Sequence, residues 1–135
     1  MDRTEMLARV EAHYRSFWLG AVADFDHQLA DDFVDEATPP GTPPGRDSVK
    51  TGSLMASRAF PDMKVTIEDS VVGDNIVAVR AHWRGTQTGP FMGRPPSGKV
   101  VEFAGMVMWR FNADGAINRR WTQLDTASVF KQIES

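Results

Sequence analysis

Residues 114–125 read Asp-Gly-Ala-Ile-Asn-Arg-Arg-Trp-Thr-Gln-Leu-Asp, and this stretch decides how the whole chain is interpreted. The Asp-Gly pair is typical of a tight turn, and the run after it predicts the last strand of a small sheet. Side chains on a strand alternate between its two faces, so one face is expected to carry Arg119, Trp121, Gln123 and Asp125. A carboxylate beside an indole at the end of a sheet would suit proton transfer in an apolar pocket.

Upstream of this strand, the spacing of apolar residues predicts three helices. Apolar side chains three and four residues apart indicate a first helix over residues 4–19, with Gly20 as its end. A second helix is expected after a capping Asp24, and its apolar positions are Phe25, Leu29 and Phe33. A third helix is expected to end at Pro61, because the residue before a proline avoids the helical conformation. One side of this third helix carries Val49, Ser53, Ala56 and Phe60.

Between the second and third helices, residues 38–45 read Thr-Pro-Pro-Gly-Thr-Pro-Pro-Gly, which neither a helix nor a central strand tolerates. We expect a loop there, either a plain connector or the rim of a binding mouth. After Pro61 the pattern changes to alternation, which predicts strands. The predicted strands cover residues 63–68, 76–86, 100–111 and 116–124, and a short helix over residues 126–133 follows.

This order of elements favours an α+β fold, because helices come first and strands joined by turns come afterwards. We expect three N-terminal helices packed into a curved antiparallel sheet of four to six strands, with a short C-terminal helix. A curved sheet that encloses helices forms a cone with an apolar interior, which is where ligand pockets occur.

Composition limits the class of protein. The 135 residues suit one domain, spanning residues 1–135, and the net charge of −3 with no basic stripe argues against nucleic acid as a partner. The chain has no cysteine, which excludes a thiolate nucleophile and a cysteine metal site. The first residues lack the apolar core of a signal peptide, and no apolar run is long enough to cross a membrane. The expected location is therefore the cytoplasm.

An ordered set of short motifs between residues 60 and 125 resembles the SnoaL-like polyketide cyclase family. The motifs are Phe60-Pro61-Asp62-Met63, Gly73-Asp74 before Val77-Ala78-Val79-Arg80, residues 85–93 and 95–99, Trp109-Arg110-Phe111, residues 114–117, and the closing Trp121 and Asp125. The resemblance implies the nuclear-transport-factor-2-like cone of the ketosteroid-isomerase-like superfamily, forming a homodimer through the sheet. It also implies work without a metal or an organic cofactor.

The resemblance further implies a reaction, and together with the chemistry of individual residues it suggests a set of site residues. Better-known members close a ring of an aromatic polyketide by intramolecular aldol chemistry, and we expect acid/base catalysis on a hydrophobic carbonyl compound. Asp125 is the expected catalytic residue, although it could instead cap the last helix. The expected substrate-binding residues are Trp121, Gln87, Arg119, Tyr14, Gln123, Trp109, Phe103 and Phe91. Possible catalytic support would come from Glu36, His82 and His13.

Departures from the family pattern keep other functions open. Gln87 stands where the family loop often has histidine, and Arg119-Arg120-Trp121 stands where the last strand often reads Glu-His-Trp. One alternative is a non-catalytic module that binds hydrophobic ligands or dimerises on the same fold. A third is an epoxide hydrolase similar to limonene-epoxide hydrolases, whose Asp-Arg-Asp relay would find Asp125 and Arg119 here but no evident second aspartate.

Overall fold

The computed structural model describes residues 1–38 and 40–135, and it contains four α-helices and five strands within those residues. Pro39, which belongs to the predicted loop at residues 38–45, lies outside the described residues. A short 3₁₀ turn, Val22–Asp24, follows the first helix. The elements are α1 Arg3–Leu19, α2 Phe25–Gln28, β1 Leu29–Asp35, α3 Arg46–Ala59, β2 Lys64–Val72, β3 Ile76–Thr86, β4 Val100–Phe111, β5 Ile117–Leu124 and α4 Thr126–Glu134.

The strands form one open sheet in the order β1-β5-β4-β3-β2. Pairing is antiparallel throughout the β2 to β5 meander, whereas β1 at the edge runs parallel to β5. The inner face of the sheet packs against α1 and α3, and the core between them includes Val10, Phe25, Phe33 and Trp109. This arrangement confirms the predicted α+β cone and adds a parallel edge pair to the predicted antiparallel sheet.

The first helix forms where the sequence predicts it, and both of its ends are capped. The Asp2 carboxylate accepts a hydrogen bond from the backbone N–H of Glu5 at 2.8 Å, which satisfies a free donor of the first turn. At the other end Gly20 adopts a left-handed conformation with φ of 70°, and its N–H donates to the Phe17 carbonyl. The buried side of the helix includes Met6, Val10 and His13, so α1 presents a histidine to the interior.

The predicted second helix is wrong over most of its length. The helix α2 ends at Gln28, and the residues from Leu29 onward form β1. The four-residue spacing of Phe25, Leu29 and Phe33 is the spacing of one face of a helix. A short helix is only marginally stable by itself, however, and pairing with β5 stabilises the extended form of these residues. As a consequence Asp35 ends β1 directly beside Arg120 of β5.

A bulge in β5 determines which of its side chains point inward. Phe111 of β4 pairs with Ile117, whereas the preceding Arg110 pairs with Arg119, so Asn118 is an extra residue in β5. An extra residue reverses the alternation of faces along a strand. Ile117 lies in the core at 1% exposure, and after the bulge Arg120 follows it inward instead of Arg119.

Candidate active site

An apolar cavity of about 300 Å³ lies between α1, α3 and the inner face of the sheet. This volume is at the lower end of the range found for small-molecule sites. Most of its wall is aromatic or aliphatic, and polar side chains gather on one part of it. The aromatic wall residues are Tyr14, Phe17, Trp18, Phe60, Trp83, Phe91, Phe103 and Trp109, and the other polar ones are His13, Asp35, Arg120, Thr122 and Thr126.

A buried ion pair joins β1 and β5 at the polar part of the cavity. The Arg120 guanidinium donates through one terminal nitrogen to Oδ2 of Asp35, and the two side chains are only 17% and 9% exposed. The other carboxylate oxygen of Asp35 accepts from the backbone N–H of Ala37 at 2.9 Å. The guanidinium also lies 5.4 Å from the ring centroid of Trp109. Arg120 is thereby held in one place with its charge balanced.

Five buried polar atoms of this wall have no hydrogen-bond partner among residues 1–38 and 40–135. They are His13 Nε2, Tyr14 Oη, Trp109 Nε1, Arg120 Nε and Thr122 Oγ1. Each buried polar group without a partner costs about 1–3 kcal/mol. Proteins rarely accumulate such groups in one place, and a cluster of them at an apolar cavity is typical of a ligand site.

Burial sets the protonation states of the two titratable groups of α1 in this cluster. Burial lowers the pKa of His13 to about 4; the hydrogen bond to Gln28 opposes this shift, and nearby Arg120 adds to it. Burial raises the pKa of Tyr14 to about 12, while the Trp109 indole N–H, which lies near the phenol without meeting hydrogen-bond geometry, and Arg120 oppose the rise. Near neutral pH the imidazole is therefore uncharged, and the phenol keeps its proton and can donate a hydrogen bond.

The predicted pocket face of β5 is the wrong face. The cavity is lined from this strand by Arg120, Thr122 and Leu124, whereas Arg119, Trp121 and Gln123 lie on the outer face of the sheet. The bulge at Asn118 is the physical reason, since without it Arg119 and Trp121 would follow Ile117 inward. Arg119, Trp121 and Gln123 share one face, as predicted, but it is the face that turns away from the helices, and Asp125 lies beyond the end of β5.

Asp125 lies outside the cavity and caps the last helix. Its side chain is exposed, and its Oδ1 accepts a hydrogen bond from the backbone N–H of Ser128 at 3.1 Å. This is the capping role that the sequence left open as the alternative to catalysis. The structure therefore gives Asp125 a capping role, and its carboxylate is not among the groups that line the cavity.

Gln87 is fully buried, but it holds the loop before β4 together. Its side-chain amide donates to the carbonyls of Gly89 and Pro95, both at 3.1 Å, and its Oε1 accepts from the N–H of Ser97 at 3.1 Å. All of these partners belong to the same loop. The prediction that Gln87 orients a substrate is therefore corrected, because its donors and acceptor are used within the loop.

The remaining predicted residues divide between the cavity and the sheet exterior. Tyr14, Trp109, Phe103, Phe91 and His13 line the cavity. His82 lies on the outer face of β3, and the Glu36 carboxylate lies 3.3 Å from Arg119 Nε outside the cavity. The catalytic support expected from His82 and Glu36 is therefore corrected, and His13 is the member of that group that the fold brings to the cavity.

Sequence reasoning missed Asp35, Arg120 and Thr122 as site residues. The sequence carries no strand signal for Asp35, because the spacing of residues 25–33 predicts a helix, whereas the structure places Asp35 at the buried end of β1 beside Arg120. The alternation of side chains along a regular strand would place Arg120 on the outer face, and the bulge at Asn118, which reverses that alternation, cannot be seen in the sequence.

Three other features of residues 1–38 and 40–135 bear on the choice of site. His, Asp and Glu side chains form no group of three or more that could hold a metal ion within residues 1–38 and 40–135. A groove of about 640 Å³ between α1 and β2 is open to solvent and carries Glu11, Arg15 and Lys64. No helix in the same residues is long and apolar enough to span a membrane. The cavity with its buried polar cluster is the better candidate site.

The chain belongs to the SnoaL-like polyketide cyclase family, whose family model matches residues 8–133. A search of curated protein sequences gives no match. Among solved structures, TsrD from Streptomyces laurentii superposes with a TM-score of 0.86 at 21% identity, over 98% of this chain and 97% of that one. At this identity the likeness shows the nuclear-transport-factor-2-like cone alone.

Two other solved structures carry a description of activity. Wild-type IdmH from Streptomyces antibioticus, a candidate polyketide cyclase, is 30% identical with a TM-score of 0.79, over 96% of this chain and 99% of that one. A candidate SnoaL-like polyketide cyclase from Jannaschia sp. CCS1 is 22% identical with a TM-score of 0.81, over 100% and 98% of the two chains.

Proposed function

We propose that this protein is an acid/base enzyme of the polyketide cyclase type, needing no cofactor, that acts on a neutral hydrophobic carbonyl compound inside the cavity. One observation carries the proposal: five buried polar atoms without partners in the described residues gather on one part of an otherwise apolar wall. Membership of the SnoaL-like family and the likeness to IdmH support the same reaction class.

The balance of donors and charges in the wall defines the ligand. Tyr14 Oη, Trp109 Nε1 and Arg120 Nε all carry hydrogens that are free to be donated, and these groups complement carbonyl oxygens. Because Asp35 balances the charge of Arg120, the wall formed by the described residues has no net positive charge that would favour an anionic ligand. These donors would stabilise the negative charge that develops on oxygen when a proton leaves the neighbouring carbon.

Exchange of an α-proton for deuterium tests this proposal without knowledge of the natural substrate. The probe is 2-tetralone, a neutral ketone of two fused rings with an acidic CH₂, and NMR in D₂O follows the loss of that signal. We expect the protein to accelerate the exchange and Tyr14→Phe to slow it about 10²-fold to 10³-fold, the usual effect of removing one donor to an oxyanion.

Matched arginine variants give this test its control. Arg120→Lys keeps the charge but loses the planar donor array, and we expect slower exchange. Arg119→Lys makes the same change on the outer face, and we expect exchange at the wild-type rate. Wild-type protein that binds 2-tetralone but never accelerates its exchange would contradict the proposal.

A non-catalytic ligand-binding module is the second candidate. In the described part of the chain, Asp35 is the one carboxylate that lines the cavity, and it is paired with Arg120. A carboxylate held in an ion pair is a poor proton acceptor, which favours binding without catalysis. The lining formed by residues 1–38 and 40–135 lacks a second aspartate for an Asp-Arg-Asp relay, which argues against the epoxide-hydrolase mechanism. Saturable binding of 2-tetralone with an unchanged rate of exchange would select the module.

We further propose that the chain forms a homodimer through the outer face of the sheet. The centre of that face is apolar: Met106 is 63% exposed, and its neighbour Met108 pairs with Trp121. Sedimentation equilibrium is expected to give twice the chain mass for the wild type and a lower mass for Met106→Glu. A monomeric wild type at micromolar concentration would contradict this.

A further inference from the structure

A chain of hydrogen bonds runs from the cavity wall to the surface behind α1. His13 Nδ1 lies 2.9 Å from Oε1 of Gln28, whose amide nitrogen donates to Ser16 Oγ at 2.9 Å. The Ser16 hydroxyl donates in turn to Oδ2 of Asp24 at 2.8 Å. His13 and Ser16 are buried at 1% and 6% exposure, whereas Gln28 and Asp24 are half-buried. None of the three residues behind His13 lines the cavity.

The direction of this chain follows from its last member. A carboxylate can only accept, so the Ser16 hydroxyl donates to Asp24, and its oxygen is left to accept from the Gln28 amide. The Gln28 carbonyl oxygen then faces His13, and it can only accept as well. The proton of the neutral imidazole must therefore sit on Nδ1, which leaves Nε2 with a free lone pair.

The ring of His13 lines the cavity, and its free nitrogen lies on the side of the ring away from Gln28. Nδ1 is turned to Gln28, which is outside the cavity, while the ring itself lines the cavity and lies 5.4 Å from the ring of Trp109. Nε2 is buried and has no partner within the residues that the structure describes. The charged and titratable groups around it are Arg120, Asp35 and Tyr14 in the cavity and Asp24 through the chain.

We propose that His13 is the proton-accepting residue of the cavity, and that Gln28, Ser16 and Asp24 are positioning residues that keep its Nε2 lone pair unprotonated and turned to the ligand. This inference rests on the proposed function, because a proton acceptor matters only if a proton is removed there. It assigns the acid/base role that Asp125, at the cap of α4, does not fill.

The proton transfer can be written atom by atom. Nε2 takes a proton from the carbon beside the carbonyl, the C–H bond breaks, and its electron pair forms an enolate. The enolate oxygen accepts hydrogen bonds from Tyr14 Oη–H and Arg120 Nε–H, which have no other partner in the described chain. The imidazolium then returns a proton either to carbon or, in a cyclisation, to the new alkoxide, and Nε2 is free again.

Exchange of 2-tetralone in D₂O separates the roles of these residues. His13→Gln is expected to slow exchange by about 100-fold, the low end of the usual contribution of general acid/base catalysis because burial makes this imidazole a weak base, and to leave the dissociation constant of the probe within a factor of three. Gln28→Glu keeps an acceptor for Nδ1–H and is expected to retain exchange, whereas Gln28→Met removes it and is expected to slow exchange. His82→Gln, on the outer face, is the control and is expected to match the wild type.

A second measurement reads the tautomer directly and does not depend on catalysis. Nitrogen-15 NMR of the histidine side chains at pH 7 is expected to show His13 with a protonated Nδ1 and an unprotonated Nε2. Gln28→Met is expected to give a mixture of both tautomers, and Gln28→Glu to keep the wild-type form. A protonated Nε2 in the wild type would overturn the positioning role of Gln28.

The two proposals fail in different ways. Exchange that survives His13→Gln at the wild-type rate would overturn the role of His13 and leave the proposed function standing. A wild-type protein that binds 2-tetralone without exchange would overturn the proposed function and, with it, the catalytic role of His13. In that case the nitrogen-15 spectrum would still decide whether Gln28 sets the tautomer.

Discussion

The two faces of β5 carry similar residues in opposite surroundings. On the inner face Arg120 is 17% exposed, is paired with Asp35 and lies over Trp109 at 5.4 Å. On the outer face Arg119 is 35% exposed, lies near Glu36 and is 5.9 Å from the ring of Trp121. Because both faces of β5 carry an arginine near a carboxylate and a tryptophan, residue type alone does not identify the site. Within the described residues, Arg119 Nε is also buried without a hydrogen bond, but only the inner face gathers several such atoms around an apolar cavity.

The largest expected difference between the faces is in stability. Arg120→Met leaves Asp35 buried and unpaired, so we expect the free energy of unfolding to fall by about 3–5 kcal/mol. Arg119→Met removes an exposed pair, and we expect a change of less than about 1 kcal/mol. Urea unfolding of both variants measures this difference. Equal losses for the two arginines would contradict the comparison.

The next largest effect is a pH dependence due to His13. Below pH 6.5 the unfolded chain binds a proton on this ring, while the folded protein does not until the pH approaches about 4. Stability is therefore fully present above pH 6.5 and is lost as the pH falls, by about 3 kcal/mol in total. The measurement is the difference in unfolding free energy between wild type and His13→Gln at pH 7 and pH 4.

His82, on the outer face of β3, provides the control for that experiment. His82→Gln is expected to keep the wild-type loss of stability in acid, because the titration of His13 is untouched. Carboxylates such as Asp26 and Asp62, whose hydrogen bonds lower their pKa values, also weaken the fold in acid, but they do so equally in all three proteins. A His13→Gln variant with the wild-type pH dependence would contradict the assignment.

A smaller effect of opposite sign is expected for Tyr14→Phe. The hydroxyl of Tyr14 is buried without a partner in the described chain, so its removal is expected to stabilise the free protein by about 1 kcal/mol. The same change is expected to weaken 2-tetralone binding or exchange. Thermal unfolding and probe titration together test this, and a variant that loses stability would contradict it.

The smallest expected effect is at Asp125. Asparagine caps a helix about as well as aspartate, so Asp125→Asn is expected to leave stability within a few tenths of a kcal/mol, whereas Asp125→Ala costs about 1 kcal/mol. Neither variant is expected to change 2-tetralone exchange, because the carboxylate is exposed and outside the cavity. Loss of exchange in Asp125→Asn with normal stability would restore the carboxylate as the catalyst.

Much of the fold was predictable because local patterns and tertiary structure agree. Two strands, Ile76–Thr86 and Val100–Phe111, have the predicted bounds, and α1 ends at the predicted Gly20. The site was less predictable for two physical reasons. The spacing of Leu29 and Phe33 imitates a helix, which hid β1 and its terminal Asp35, and the bulge at Asn118 reverses the parity of β5.

The most direct test uses the indole N–H signals of Trp109 and Trp121, which report on the inner and outer faces in one NMR spectrum. Substitution of each tryptophan by phenylalanine assigns the signals, and 2-tetralone is then titrated into the wild type. The account predicts a saturable downfield shift of the Trp109 signal, as its N–H donates to the ketone, and an unchanged Trp121 signal. A shift of Trp121 with Trp109 unchanged would contradict it.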